Sequence, residues 1–430
     1  MPRRNVRLIV ALTVLCLMCA VRSSRYGRVL VYAMNQIDLR SLEEVGQRKL
    51  FEGAMEGMMG RLDDYSAYIS PDVLAEFNEA LDKEFGGVGI EIRIDPDTKR
   101  LTVASPLVGT PAYEAGIRAG DKVLRIDGHS TQGLSLQDAA DRMRGRPGDP
   151  VTLTVLHLDA EEPTVVEIVR AIIQVDTVLG DARNADGSWN HFLEGHDRIG
   201  YLRINSFSEN TDAKLARALD GLIQRDMQAL ILDLRNDPGG MLDAAIRVCD
   251  RFVDSGMIVS TRRRDGQISR AFTASKRGTL PDFPMAVLVN QFSASASEIV
   301  AACLQDHQRA VVVGQRTFGK GTVQELIELE SGQGMIKLTT ASYWRPSGKN
   351  IHRHRDADED DDWGVTPDKG YEVEVDEEQL GRLLSARLHR DVYKPNHEDD
   401  SSGEEDPSDP AVDPQLAKAV EYVEAAIAGR

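Results

Sequence analysis

Apolar residues recur at helical spacing from about Ser41 to Ala80, first in LEEVGQRKLFEGAMEGMMGRL and, after the loop DDYSAYISP, in DVLAEFNEALDKEF. This spacing predicts a small helical lead-in over 36–84. The rhythm then shortens. FGGVGIEIRID, RLTVASPL, DKVLRIDG, DPVTLTVLHL and TVVEIVRA read as strands, and PAYEAGI and SLQDAADRMRG read as helices between them. That order predicts a mixed domain over 85–172. From 173 to 394 apolar strands alternate with longer helical patterns: RIGYLRINSF, TDAKLARALDGLIQR, ALILDLRND, MLDAAIRVCDRFV, MIVSTRRR, MAVLVNQ, SEIVAACLQD, RAVVVG and MIKLTTASYWR. Such alternation predicts an α/β core, so the fold class is α/β and multidomain. An acidic, Ser- and Pro-bearing stretch over 395–413 reads as disordered. The terminal 414–430 pattern places Leu416, Val420, Val423 and Ile427 on one helix face, to dock on the body or on a second subunit.

The amino terminus differs from all of this. Arg3, Arg4 and Arg7 precede an uncharged apolar run from Leu8 to Val21, and Arg22 follows. The run would cover only about 21 Å as helix, short of the roughly 30 Å hydrocarbon core. Residues 1–24 therefore read as a signal region for export, with a retained membrane anchor as the alternative.

Composition narrows the function classes. The chain has 430 residues, 41% of them apolar, and only 5% aromatics, which argues against a stacking-based nucleic-acid binder. The formal charge of -18 points the same way, although much of it sits in the blocks Asp356–Asp362 and Glu398–Asp409, which read as solvated segments. Of the four cysteines, Cys16 and Cys19 lie in the leader, while Cys249 and Cys303 fall in apolar helical patterns and read as small buried residues. No spacing suggests a metal site, and no cofactor is expected.

The chemistry concentrates in VLVNQFSASASEIVAACLQDHQRAVVVGQRTFGKGTVQ, from Val287 to Gln324. Three serines compete there: Ser293, Ser295 and Ser297. Ser295 and Glu298 fit a capping box, which sets Ser295 at a helix start where backbone N–H groups converge. The strand RAVVVG returns the chain, and FGKG places Lys320 on a glycine turn beside that start. A buried lysine is easier to deprotonate and can take a serine's proton near neutral pH. Gln324, four residues on, can hold the amine by hydrogen bonding. A serine–histidine arrangement is weaker, because His307 would sit at the far end of the helix, about 16 Å away. Nothing in the sequence brings His352 or His354 to Ser295. Upstream, the strand ILDLRND runs through Pro238 into Gly239-Gly240, whose bare backbone suits an oxyanion hole, or simply a tight strand-to-helix turn.

Within 85–172, Gly86-Gly87-Val88-Gly89-Ile90, Ser105-Pro106, Ala115-Gly116-Ile117, Gly120-Asp121 and Ile126-Asp127-Gly128 resemble a PDZ domain. The resemblance implies an extended peptide added to the sheet edge. The loop Phe85, Gly86, Gly87 and Val88 would face the terminal carboxylate, and Ile90 and Ile92 would pair with the peptide.

Taken in order, more motifs join these. Asp64-Tyr65-Ser66, Tyr68, Gly200-Tyr201, Phe207, Asp233-Leu234-Arg235, Gly239-Gly240, Ser293 to Glu298, Thr317 to Gln324 and Trp363 to Asp368 together resemble the carboxyl-terminal processing proteases, tail-specific serine proteases with an embedded PDZ domain. That resemblance implies a crotonase-like Ser/Lys protease core with Ser295 as nucleophile, Lys320 as general base and Gln324 in support. Backbone N–H groups of Gly239 or Gly240 and of Ala296 would form the oxyanion hole. Asp306 matches an acidic position of the family, with a structural role expected from its distance along the helix. Asp237 departs from the commoner asparagine. The expected partners are proteins or peptides with exposed C-termini, and a homo-oligomer or an activating partner; nucleic acid is not expected. The rival readings are a PDZ adaptor with an inert core and a small-molecule esterase or amidase.

Overall fold

The computed structural model describes residues 25–74, 77–78, 84–95, 98–158, 160–184, 186–358, 360–392, 409 and 411–430. The leader with Cys16 and Cys19, most of the second lead-in helix and the acidic 393–408 stretch lie outside the described residues. Residues 25–74 with 324–339 form one compact unit, and the described residues of 75–323 with 340–430 form another.

In the first unit the helices Arg25–Arg40 and Gln47–Met59 precede a turn built on Asp63. Its carboxylate accepts from Tyr65 N–H, Ser66 N–H, Ser66 Oγ and Thr339 Oγ1 at 2.8 to 3.0 Å. Burial opposes the charge on Asp63, but these donors hold its pKa below the usual carboxylate range. The turn launches the strand Ala67–Ile69, which pairs antiparallel with Met335 to Lys337. The Arg25–Arg40 helix buries no residue.

The second unit contains both sheets that matter for function. One is antiparallel, in the order Ile90–Ile94, Leu101–Pro106, Lys122–Ile126, Pro150–Leu156, Thr164–Val169. Strict alternation along PVTLTVL sends Val151, Leu153 and Val155 inward. They meet Val103, Val123, Ile126 and, from the helix Leu136–Met143, Ala139 and Met143. Ser135 starts that helix by accepting Asp138 N–H at 3.1 Å. The strand Glu84–Gly87 pairs with Ala171–Gln174, so residues up to Gln174 belong with this domain by pairing.

The other sheet carries four parallel strands in sequence order, Ile199–Ile204, Ala229–Asp233, Met285–Val289 and Val311–Gly314, with Val178–Leu179 antiparallel at its edge. These strands read as continuous apolar runs because both faces are covered. Leu230, Leu232, Val287 and Val289 face the helices Thr211–Gln224, Leu242–Phe252 and Ala296–Asp306. Ala229, Ile231, Ala286 and Leu288 face the terminal helix Pro414–Ala428 through Leu416, Ala419 and Val423. The terminal helix thus docks on the body of its own chain, with Val420 and Ile427 half-buried as the spacing predicted. Cys249 and Cys303 are buried free thiols. An unforeseen helix, Glu377–Asp391, starts at a capping box of Asp376 and Gln379.

Candidate active site

Three loops leave the carboxyl ends of adjacent parallel strands, where open α/β sheets place their ligands. The first follows Asp233, the second follows Val289 and the third follows Gly314. Side chains sew the first two together. Asn236, at φ 59°, exchanges hydrogen bonds with Asn290: its N–H donates to Asn290 Oδ1 and its Oδ1 accepts Asn290 Nδ2, both at 3.0 Å. Ser293 Oγ donates to Leu234 O at 2.8 Å, and Ser297 Oγ donates to Asp237 O at 3.0 Å. Ala294 N–H also donates to Asp237 O, at 2.9 Å. Two of the three competing serines therefore use their hydroxyls to fix the turn between them.

Ser295 sits at that turn with φ 57° and ψ −110°, a conformation unusual for a side-chain-bearing residue. The surrounding bonds hold it there, at the first residue before the Ala296–Asp306 helix and 9% exposed. The close approach of Gly239 explains the glycine. A Cβ on Gly239 would lie 2.6 Å from Ala294 O, 2.8 Å from Ala296 N and 2.9 Å from Ser295 Cβ, and its φ is +95°. Only bare backbone fits against the serine turn.

Glu298 joins the third loop to this turn. Fully buried, its carboxylate accepts Ser295 N–H at 2.8 Å and Lys320 N–H at 2.8 Å on Oε2, and Thr317 Oγ1 at 2.6 Å and Gly319 N–H at 2.7 Å on Oε1. The amide nitrogens of Ser295 and Lys320 are thus separated by no more than two 2.8 Å bonds laid end to end. Burial pushes the Glu298 pKa up to about 7, while the hydrogen bonds from Thr317, Ser295, Gly319 and Lys320 pull it back. Thr317 Oγ1 in turn accepts Val365 N–H at 2.8 Å, which fixes the segment around Trp363 to Asp368 behind the loop. Sequence reasoning saw Glu298 only as a cap; nothing local shows that residues 19 to 22 positions on would share its carboxylate.

The other expected residues fall as follows. Lys320 is half-buried on the glycine loop. Gln324, on the strand Thr322–Glu328, donates from Nε2 to Thr339 Oγ1 at 3.2 Å. Gly239 N–H donates to Asp237 Oδ1 at 2.8 Å, so of the three amides expected in the oxyanion hole, those of exposed Gly240 and of Ala296 have no acceptor among the described residues. Asp306 is half-buried; burial opposes its charge, but hydrogen bonds from Arg345 and Ser347 lower its pKa, as a structural role requires. His307 turns away to Met257 O at 2.7 Å. The segment around His352 packs on the glycine loop, where Arg353 N–H donates to Gly319 O at 2.8 Å, while the His352 ring stacks edge-on against His354.

In the antiparallel domain a groove is lined by Phe85, Gly87, Val88, Ile90 and Ile92 together with Ala140, Met143 and Arg144. Five of the six expected peptide contacts come together there. Gly86 lies outside that lining: its carbonyl accepts Gly145 N–H at 3.1 Å, and a Cβ would lie 2.1 Å from Gly145 O. Ile90–Ile94 is the last strand of its sheet, leaving one edge for an added strand.

Residues 198–370 match peptidase family S41, and residues 102–156 match the PDZ domain. A carboxy-terminal-processing protease of Bartonella bacilliformis is 37% identical over 387 residues, covering 86% of this chain and 82% of that protein. A carboxyl-terminal-processing protease of a Synechocystis species is 40% identical over 304 residues, covering 70% of this chain and 68% of that one. Among solved structures, the photosystem II D1 C-terminal processing protease is 27% identical, with a TM-score of 0.46, and covers 86% of this chain and all (100%) of that one.

Proposed function

We propose, for a chain that belongs to the carboxyl-terminal processing proteases of peptidase family S41, that Ser295 is the nucleophile and Lys320 its general base. The chain is a serine-type peptidase with a PDZ domain; neither the adaptor nor the esterase reading gains support from its relatives. The observation that carries the assignment is the single Glu298 oxygen that accepts the N–H groups of both Ser295 and Lys320.

A neutral Lys320 amine takes the proton from Ser295 Oγ as the oxygen attacks the scissile carbonyl. Negative charge moves to the carbonyl oxygen, where the amides of Ala296 and Gly240 donate to it. The ammonium returns the proton to the leaving amine as the C–N bond breaks, giving an acyl-enzyme on Ser295. Water, deprotonated by the same amine, then releases the new C-terminus. No step calls for a metal or cofactor.

Substrate tails enter as an added strand on Ile90–Ile94, with the terminal carboxylate at Phe85 to Val88. Binding the tail raises the local concentration of the scissile bond. Its test is Gly87→Phe, which crowds the Phe85 ring that already lies 3.1 Å from a Cβ at this position. Cleavage of a protein with an apolar C-terminal tail should fall at least about tenfold, and cleavage of a short untailed peptide should stay within about twofold. Equal loss, or no loss, on both substrates would refute tail recognition.

The chain works outside the cytoplasm, delivered by Arg3 to Arg22 with Leu8 to Val21 as the apolar region. Among the described residues no helix is long and apolar enough to cross a membrane. Fractionation of cells should find the protein in the extracytoplasmic or membrane fraction; recovery only from the cytoplasm would overturn this.

A further inference from the structure

The loop that carries Gly239 and Gly240 is also held from behind, by the far end of the chain. Arg235, one residue before Asn236, is buried, with 9% of its surface exposed. Its guanidinium donates from Nε and Nη2 to Asp233, from Nη1 to Asp413 Oδ1 at 2.8 Å, from Nη2 to Asp413 Oδ2 at 2.8 Å, and from Nη1 to Gln415 Oε1 at 3.1 Å. The Asp413 pair is a two-pronged, fully desolvated contact, the geometry in which an arginine is held in one orientation. Asp233 is itself fixed by Tyr201 OH at 2.7 Å. Asp413 does a second job: its Oδ1 accepts Leu416 N–H at 2.9 Å and starts the Pro414–Ala428 helix that covers the sheet.

Asp413 lies outside the residues that match the peptidase family, 198–370. We infer that Asp413 is a positioning residue for catalysis: the terminal helix clamps Arg235, and through it the Asn236–Gly240 loop, in the conformation that offers its amides beside Ser295. The inference rests on the reading of that loop as the oxyanion hole. It makes the carboxyl-terminal segment part of the working site, although no atom of it reaches the substrate. Detaching the segment would slacken the loop without touching the serine or the lysine.

Asp413→Asn is the variant of choice. Asparagine caps helices as well as aspartate does, so the helix start is kept and the ionic clamp is removed. In the full chain, hydrogen exchange of the peptide spanning 236–241 should speed up at least about tenfold, kcat should fall about ten- to hundredfold, and KM should stay within about twofold. The inhibition constant of a peptide aldehyde, whose adduct carries the oxyanion, should rise in step with the loss of kcat. Exchange reports on the clamp whether or not the loop is an oxyanion hole, so faster exchange with unchanged kcat and aldehyde binding would refute the catalytic role alone. Unchanged exchange at 236–241 would refute the clamp. Should Asp413→Asn fail to fold, Gln415→Ala removes one acceptor of the same guanidinium and should show the same changes, smaller, at about threefold in kcat; no change in it would also overturn the inference.

Discussion

Replacing Lys320 by methionine should lower kcat on an unfolded protein with an apolar C-terminus by about four orders of magnitude and leave KM within about twofold. Methionine keeps the length and apolar stem of the side chain but cannot accept a proton, so the chemical step is lost while tail binding persists. Ser295→Ala should do the same, and the double variant should be no worse than either, because the two act as one unit. Turnover assays on the three purified variants check this. A Lys320→Met enzyme as active as wild type would remove the assigned base and reopen the histidines, above all His352, whose segment packs on the glycine loop through Arg353 N–H and Gly319 O.

Glu298→Gln should have the second largest effect. Each carboxylate oxygen accepts two donors, from Ser295 and Lys320 on one and from Thr317 and Gly319 on the other. An amide must turn its NH₂ toward one of these pairs, setting donor against donor. The loss should be at least about a hundredfold in kcat, since displacing the base by about 1 Å is enough for that. The variant also has a pH signature. The native pKa of Glu298 stands at about 7 against 4.5 for the free side chain, so the folded chain holds an extra proton between those values. This group's favourable contribution is fully present below pH 4.5 and is lost as pH rises through about 7, by an amount on the order of 3 kcal/mol. Melting temperatures of wild type between pH 4.5 and 8 should therefore fall relative to Glu298→Gln, which lacks the titration. Parallel profiles, or full activity in the variant, would contradict the role given to this carboxylate.

Much of this site was legible because its parts are local. The choice of Ser295 among three serines came from spacing to Glu298, and the structure supplies the complement: Ser293 and Ser297 use their hydroxyls on Leu234 and Asp237. The glycine pair stood out because a strand runs through it directly into a helix, and the structure adds the steric reason, a 2.6 Å approach of a Gly239 Cβ to Ala294 O. What stayed hidden involves partners far apart in the chain. Glu298 reaches residues up to 22 positions on, and Arg235 pairs with a carboxylate 178 positions away. Both residues lie in motifs, but neither long-range pairing leaves a periodicity or spacing that would announce its partner. The Arg25–Arg40 helix lies mostly ahead of the 36–84 lead-in, although Leu30, Ala33, Met34 and Ile37 recur there at helical spacing and could have revealed it. The Glu377–Asp391 helix did carry a signal, the Asp376 and Gln379 capping box, that could have revealed it.

The dyad itself is tested most directly by labelling the full chain with a serine-reactive acylating probe and locating the adduct by mass spectrometry. A single adduct on Ser295, formed at a rate at least about a thousandfold slower in Lys320→Met, is the expected result. An adduct on another residue, or equal rates in the two proteins, would contradict the assignment of nucleophile and base.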